Sequence, residues 1–404
     1  IVYYNDEQAA PGEPVGDFQT VAVVSMDGMD GEVAYVSTSF HPTAVFFHQS
    51  SPLAYLVTDD GISVIKLDKV ESGDITEIVQ VSDDYSEDPS MREVLVTDNG
   101  KYAVVRNLAL PKVTVVDIHS GDLRYKAVEG LPTDVDLIPG QNQALLLLRE
   151  QELAYVADLE AIIEAPPESE DPPETDDPPE RDDPPEDDEE EEADPTLVKI
   201  DIAGSNAGAA VVTRDGSAAV LYTTVGGVKA VTVMDLTSET FDWKAFPVQK
   251  AVVGVGVSQQ GGTALVLHEA ESYAADASDL EKTIATTEGI TLFDLHTGYR
   301  KLLQTKHRWT QQLFTSGEDG LDLKAYVLTP DPSDLTHFVL SVDLATYIAD
   351  EILLASSPTS MVFVPKSRKV AVSQDHENGR ITFIDVDSSE TYSVTGYELN
   401  GLIK

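Results

Sequence analysis

One pattern recurs seven times along the chain and limits its fold more than any other feature. It is a strand-length run of β-branched and apolar residues, most often closed by an apolar-Asp-apolar triplet. The runs are Ile62–Leu67, Val113–Ile118, Leu153–Asp158, Val231–Leu236, Ile290–Leu295, Phe338–Leu344 and Ile381–Val386. Such composition, bounded by turn residues, is that of buried β-strands. Each is preceded by a second apolar run: Ala54–Val57, Lys101–Val105, Ala144–Leu148, Ala218–Tyr222, Ala264–Leu267, Lys324–Leu328 and Lys369–Val372. Tight-turn signals such as Asp98-Asn-Gly100, Asp215-Gly216 and Gly261-Gly262 stand before several of these, supplying the positive φ that a hairpin needs. A first strand opens each unit, beginning near Val45, Val94, Val135, Ala210, Val253, Gln312 and Met361.

Equal units of this kind predict an all-β fold, a seven-bladed β-propeller of four-stranded blades. With an N-terminal tail (1–17) and two inserts set aside, each unit takes about 48 residues, within the span of a propeller blade. A two-layer sandwich would leave long edges, whereas radial repetition leaves only short ones. The reading is a single propeller domain over 18–404. The segments Thr20–Ser25 and Glu32–Ser37 read as a hairpin, and one of its strands is expected to pair with the last blade near Ser389–Tyr397.

The inserts differ in character. Residues 164–194, inside the third blade, hold eighteen acids, eight prolines and one base, Arg181, for a net charge of −17. The unit Asp-Pro-Pro-Glu recurs there from Asp171, Asp177 and Asp183. This composition has nothing apolar to bury and repels itself, so it is expected to be a disordered, solvated loop. The functional alternative is a polyanionic tether for a basic partner or a cation. The second insert, 269–288, falls in the fifth blade.

The stretch Thr97–Asn107 followed by Val113–Gly121 resembles the YVTN-type repeat of seven-bladed propellers found on bacterial surfaces. Ile290–Gly298 and Ile381–Ser388 look similar. The first blade departs from the pattern, with Lys66 in place of Asp, and the sixth has Pro330-Asp-Pro332 in place of the Gly turn. The resemblance implies architecture and a choice of functions. One is a non-catalytic binding or scaffolding propeller, extracellular, periplasmic or displayed at the cell surface, engaging a protein or a glycan. The other is a hydrolase of the lactonase type.

Charge and composition narrow the choice. The 404 residues carry 72 Asp+Glu against 26 Lys+Arg, a net −46, of which −29 lies outside the acidic insert. Phosphate recognition needs clustered cations, so nucleic acid is excluded as a partner. No stretch reaches the roughly 18 apolar residues of a membrane span. Cysteine is absent, which excludes thiolate chemistry and disulfides. No secretory signal is visible in residues 1–10.

Little chemistry is spelled out along the chain. There is no Gly-x-Ser-x-Gly or Gly-rich phosphate loop, and no pair of histidines has helical ligand spacing. Thus no catalytic residue is assigned, and the chain is expected not to be an enzyme. The recurring Asp117, Asp158, Asp235, Asp294, Asp343 and Asp385 are expected to hold backbone N–H groups of the following turns. His119 and His296 occupy one repeat position and read as turn residues. Calcium is the cofactor that the acidic turn Asp27, Asp30, Glu32 would take, although its spacing is not that of the twelve-residue calcium loop. One mixed cluster stands out, Lys306, His307, Arg308 and Trp309, between the fifth and sixth blades. It either binds an anionic ligand or neutralises nearby carboxylates; the second is the more ordinary use.

Overall fold

The computed structural model describes residues 2–3, 19–24, 33–72, 75–83, 87–166, 194–305, 307–317, 320–329 and 336–396. Its strands form seven four-stranded antiparallel sheets and one three-stranded sheet. The four-stranded sheets are consecutive in sequence, spanning 44–79, 92–127, 134–201, 209–247, 254–305, 311–354 and 358–395. In chain order these are the first to the seventh sheet. In each, sequence order is spatial order, so every connection within a sheet is between hydrogen-bonded neighbours.

All seven repeated runs lie on third strands, from Gly61–Lys66 in the first sheet to Arg380–Asp385 in the seventh. The second strands are the most buried: Gln143–Leu148 and Thr263–His268 are buried along nearly their whole length. Two central strands covered on both faces account for the unbroken apolar runs in the sequence. Fourth strands are half-exposed, as in Leu123–Ala127 and Ala349–Leu354, and Thr391–Thr395 is exposed throughout.

The chain divides into two compact units, 1–201 and 202–404. In the first unit, the core runs from sheet to sheet. Val21 and Val36 of the three-stranded sheet pack on Leu56 and Ile65 of the first sheet. Tyr55 and Ile62 pack on Val94 and Val105 of the second, and Val104 and Val115 on Leu146 and Tyr155 of the third. The second unit repeats the scheme. Val220 of the fourth sheet shares a cluster with Val266 of the fifth, Leu267 with Val327 of the sixth, and Tyr326 with Val372 of the seventh. Each large aliphatic side chain so buried contributes about 1.5–3 kcal/mol.

The turns follow from side-chain chemistry. Thr97 Oγ1 donates to the Asn99 side chain at 2.8 Å and accepts from Tyr102 N at 3.1 Å. Between them Gly100 adopts φ +62°, and a Cβ there would strike the Tyr55 hydroxyl at 1.8 Å. Thr213 and Asp215 build the same turn in the fourth sheet.

The N-terminal expectation is corrected. Thr20–Val24 pairs with Val33–Ser37 over five residues and with Val2–Tyr3 on its other side, making a sheet of its own. The seventh sheet takes its fourth strand, Thr391–Thr395, from the chain that immediately follows its third. Its alternating Thr, Tyr, Ser and Val fill the position that an N-terminal strand was expected to occupy. The expected seven sheets are therefore joined by an eighth, three-stranded one.

The third sheet carries helix α1 (Leu159–Glu164) between its third and fourth strands. Asp158 caps α1 by accepting from Ala161 N, and Leu159 and Ile162 join the core. Residues 167–193, which contain nearly all of the acidic insert, lie outside the described residues.

Candidate functional site

The fifth sheet builds the most developed site. Its second strand, Thr263–His268, leaves into the 269–288 insert and returns as the third strand, Glu288–Asp294. The insert folds as helix α2 (Asp279–Thr286). The Ser278 hydroxyl accepts from Glu281 N at 3.3 Å, and the Glu281 carboxylate accepts from Ser278 N at 2.7 Å. This reciprocal cap satisfies two otherwise orphaned N–H groups.

The other end of α2 is held by a buried cation. Lys250 has no solvent exposure, and its Nζ donates to Ile284 O at 2.6 Å and Ala285 O at 3.0 Å. Burial pushes the Lys250 ammonium pKa down, while Glu271 and Glu288 oppose this. The carbonyl end of a helix favours a positive charge. Beside it, His268 is buried and its pKa is pushed down to about 4 by desolvation. Its Nδ1 lies 2.8 Å from Ala251 O, which can only accept, so Nδ1 carries the proton and Nε2 accepts from Thr291 Oγ1. Two ion pairs tie down the start of the insert, Lys229 with Glu271 at 2.7 Å and Arg308 with Glu269.

Against α2 runs a groove of about 610 Å³ with apolar walls and a polar share from Gln249, Gln304, Thr305 and Glu351. Leu280 and Ile284 of α2 form one wall, Leu302 and Leu303 of the fifth sheet another, and Phe338 and Leu340 of the sixth a third. Leu280 is 70% exposed, on a helix that is otherwise firmly anchored. The margins carry an acidic excess: Asp279 and Glu281 are exposed on α2, where Lys282 pairs with Asp279 at 3.9 Å, and Asp350 and Glu351 are exposed on the fourth strand of the sixth sheet.

The structure places the expected site residues as follows. Lys306 lies outside the described residues. The His307 carbonyl accepts from Thr305 Oγ1, and Thr305 itself lines the groove. Arg308 turns outward to Glu269, whereas Trp309 turns inward against the cluster of Leu265, Leu267 and Phe314. The Trp309 indole N–H is buried with no partner among the described residues. Arg308 and Trp309 therefore do not share one binding point. Asp27, Asp30 and Glu32 lie outside the described residues. Among the described residues, no group of three or more His, Asp or Glu could hold a metal ion.

The six recurring aspartates cap turns. Asp117 Oδ1 accepts from His119 N and Ser120 N, and Asp294 Oδ1 from His296 N and Thr297 N. Asp235 takes Thr237 N, Asp343 takes Ala345 N and Thr346 N, and Asp385 takes Asp387 N and Ser388 N. Hydrogen bonds from the Ser388 N–H and then its hydroxyl hold the Asp385 carboxyl at about 2, and the hydroxyls of Thr237 and Thr346, then their N–H groups, lower Asp235 and Asp343. With Asp158 on α1, every one of them is occupied by backbone.

One carboxylate in the first unit behaves differently. Asp136, on the first strand of the third sheet, has its Oδ2 buried without a hydrogen-bond partner among the described residues. Desolvation, then the charges of Asp134 and Glu93, raise its pKa to about 7, and Arg106 only partly offsets them. Arg106 is already committed to Glu93, at 2.6 Å, and to Pro132 O.

Solved structures share this architecture. The chain matches a eukaryotic initiation factor with a TM-score of 0.57 at 12% identity, over 93% of this chain and 84% of that one. It matches the dihydro-heme d1 dehydrogenase NirN, in complex with DHE, with a TM-score of 0.52 at 12% identity, over 94% and 73%. These two likenesses show the fold, a β-propeller of four-stranded sheets. The Myceliophteria thermophila Cps50 (Swd1) β-propeller domain is matched at 14% identity with a TM-score of 0.42, over 86% and 98%. No family model matches the chain, and no curated protein does. The YVTN-type likeness is thus one of repeat pattern, without a family match behind it. The expectation that the chain is not an enzyme is corrected: a dehydrogenase has this fold, so the architecture gives no ground for excluding catalysis. No described helix is long and apolar enough to cross a membrane.

Proposed function

We propose that this is a partner-binding β-propeller whose groove beside α2 receives a basic amphipathic segment of another protein, and that it works outside the cytoplasm, secreted, periplasmic or at the cell surface. One observation carries the reading. A helix fixed at both ends, by the Ser278–Glu281 cap and by buried Lys250, holds Leu280 in solvent at the mouth of a groove with apolar walls. Burying an ammonium is costly unless its bonds are made, so rigidity here is maintained at a cost in free energy. Exposed Leu280 and the apolar walls favour a protein side chain over a glycan. The acidic margins and the net −46 favour a cationic partner and disfavour a second copy of this chain. An acidic shell also suits a protein that must resist association in its surroundings.

The test is fluorescence anisotropy with a synthetic amphipathic helix of Leu and Lys. Saturable binding is expected, weakened about tenfold or more by Leu280→Asp. A scrambled peptide of the same charge should bind at least about tenfold more weakly than the ordered one. Equal binding of the two peptides, or indifference to Leu280→Asp, would remove the groove from the explanation.

A further inference from the structure

The first unit holds a polar cavity unrelated to the groove. It encloses about 380 Å³ beside the second–third turn of the first sheet and the loop entering the second. Val57, Val81 and Val94 give it an apolar floor, and His41, Asp59, Asp88 and Arg92 stand at its polar side.

Two loops are stapled together to make that side. Asp59 N donates to Phe40 O at 3.0 Å, and Phe40 N donates to the Asp60 carboxylate at 3.1 Å. His41 adopts φ +55°, a conformation that costs a β-carbon residue free energy and persists only where its surroundings impose it. It thereby sets Nδ1 3.2 Å from both Asp59 oxygens. Asp59 is thus occupied by the imidazole.

Arg92 is left underused. Its Nη2 donates to the Asp59 carbonyl at 3.3 Å, and its Nε is buried with no partner among the described residues. Among those residues, no carboxylate lies within ion-pair distance of it, on a chain with 72 acids. Asp88, which lines the same cavity, is turned to Ser90, whose N–H and hydroxyl both donate to its Oδ1; these bonds, and after them the charge of Arg92, hold its carboxyl below the ordinary range without an ion pair forming. A guanidinium that is partly desolvated and keeps a buried N–H without a partner is under-satisfied, and its planar fork matches a carboxylate.

We propose that this cavity binds a small carboxylate bearing a short branched aliphatic group, with the carboxylate on Arg92 and the aliphatic part on Val57, Val81 and Val94. Arg92 supplies the positive charge, the Asp59 and Asp88 carboxylates on the same wall are already held by His41 and Ser90, and the valines supply the apolar contact. The proposal does not depend on the groove, so the failure of either leaves the other standing.

Isothermal titration with isovalerate and with its neutral isostere, isovaleramide, tests it. Saturable isovalerate binding is expected, with isovaleramide weaker by about tenfold or more. Arg92→Gln should abolish binding with the thermal unfolding transition still cooperative. If Arg92→Gln does not fold, Arg92→Lys keeps the charge but loses the fork, and should weaken isovalerate about tenfold. No saturable binding by the unaltered protein, equal affinity for the amide, or unchanged affinity in the variant that folds would each overturn the proposal. Leu280→Asp should leave isovalerate binding unchanged; a loss there would overturn the assignment to Arg92.

Discussion

The ammonium of Lys250 lies 2.6 Å from the carbonyl oxygen of Ile284, so a cation with no exposed surface closes the last turn of α2. Because that one side chain also satisfies Ala285 O, the insert helix depends on the loop that enters the fifth sheet. The relationship links a packing feature to a binding surface: the same contact that buries charge also holds Leu280 at the groove.

Lys250→Met should therefore loosen α2 more than it unfolds the protein. Two helix carbonyls lose their donor, at a cost of about 1–3 kcal/mol by the usual penalty for buried unsatisfied groups. Hydrogen exchange should rise in 279–286 and stay protected in the second strand of the same sheet, Thr263–His268. Affinity for the Leu/Lys helix should fall with it. Unchanged exchange in α2 would show that Lys250 does not hold the helix.

Much of this architecture is legible along the chain because the central strands are buried on both faces and must be apolar throughout, as in Ala144–Leu148. The fourth strands escape for the opposite reason. Trp243–Pro247 and Ala349–Leu354 are half-exposed edges whose polar residues erase the pattern. The N-terminal hairpin was visible but its partner was not, since Thr391–Thr395 carries no apolar run to show that the last sheet is already complete. Helix α2 has a sequence signal in Ser278-Asp-Leu-Glu281, a capping box set inside an insert that carries no repeat pattern. The groove was not legible: Leu280, Leu302, Phe338 and Leu340 come from separate elements, and only the fold brings them together.

Turn capping by the recurring aspartates predicts a local, modest effect. Asp343 accepts from Ala345 N, Thr346 N and Thr346 Oγ1, all in the turn that leads to the fourth strand of the sixth sheet. Asp343→Ala should cost about 1–2 kcal/mol in urea unfolding without altering the m-value. A neutral result would mean that water replaces these bonds at no cost.

Two buried groups should give opposing pH slopes. His268 has a folded pKa of about 4, below the ordinary 6.5, so the unfolded chain binds more protons between these values. Its contribution is complete above about pH 6.5 and is lost as pH falls toward 4, up to about 3 kcal/mol. Asp136 has a folded pKa of about 7, above the ordinary 3.8, so the folded chain binds more protons there. Stability should fall as pH rises from about 4 to 7, by a few kcal/mol at most. Asp136→Asn should raise stability at pH 8 and leave the His268 slope exposed, with stability climbing from pH 4 to 6.5. Guanidinium unfolding at a series of pH values reads this directly, and identical pH profiles for the two proteins would refute the assignment.

Salt should act in opposite directions on folding and on binding. The net −46 makes the folded state repel itself, and −29 of that charge lies outside the acidic insert. The screening length falls from about 30 Å at 0.01 M salt to about 10 Å at 0.1 M, so most of the relief arrives within that range and Tm should rise across it. The same screening weakens the attraction of the acidic groove margin for a cationic helix, so Kd for the Leu/Lys peptide should increase over the same range. The apolar part of the contact survives salt, so binding should level off instead of vanishing. Calcium separates charge screening from a specific site. If Asp27, Asp30 and Glu32 take the ion, millimolar Ca²⁺ should raise Tm beyond Mg²⁺ at equal ionic strength, and Asp30→Asn should abolish the difference. If the two ions act alike, these three residues take no calcium. A Tm indifferent to monovalent salt would contradict self-repulsion, and peptide binding that disappears entirely by 0.15 M would show that charge alone, without Leu280 and the groove, had been holding the peptide.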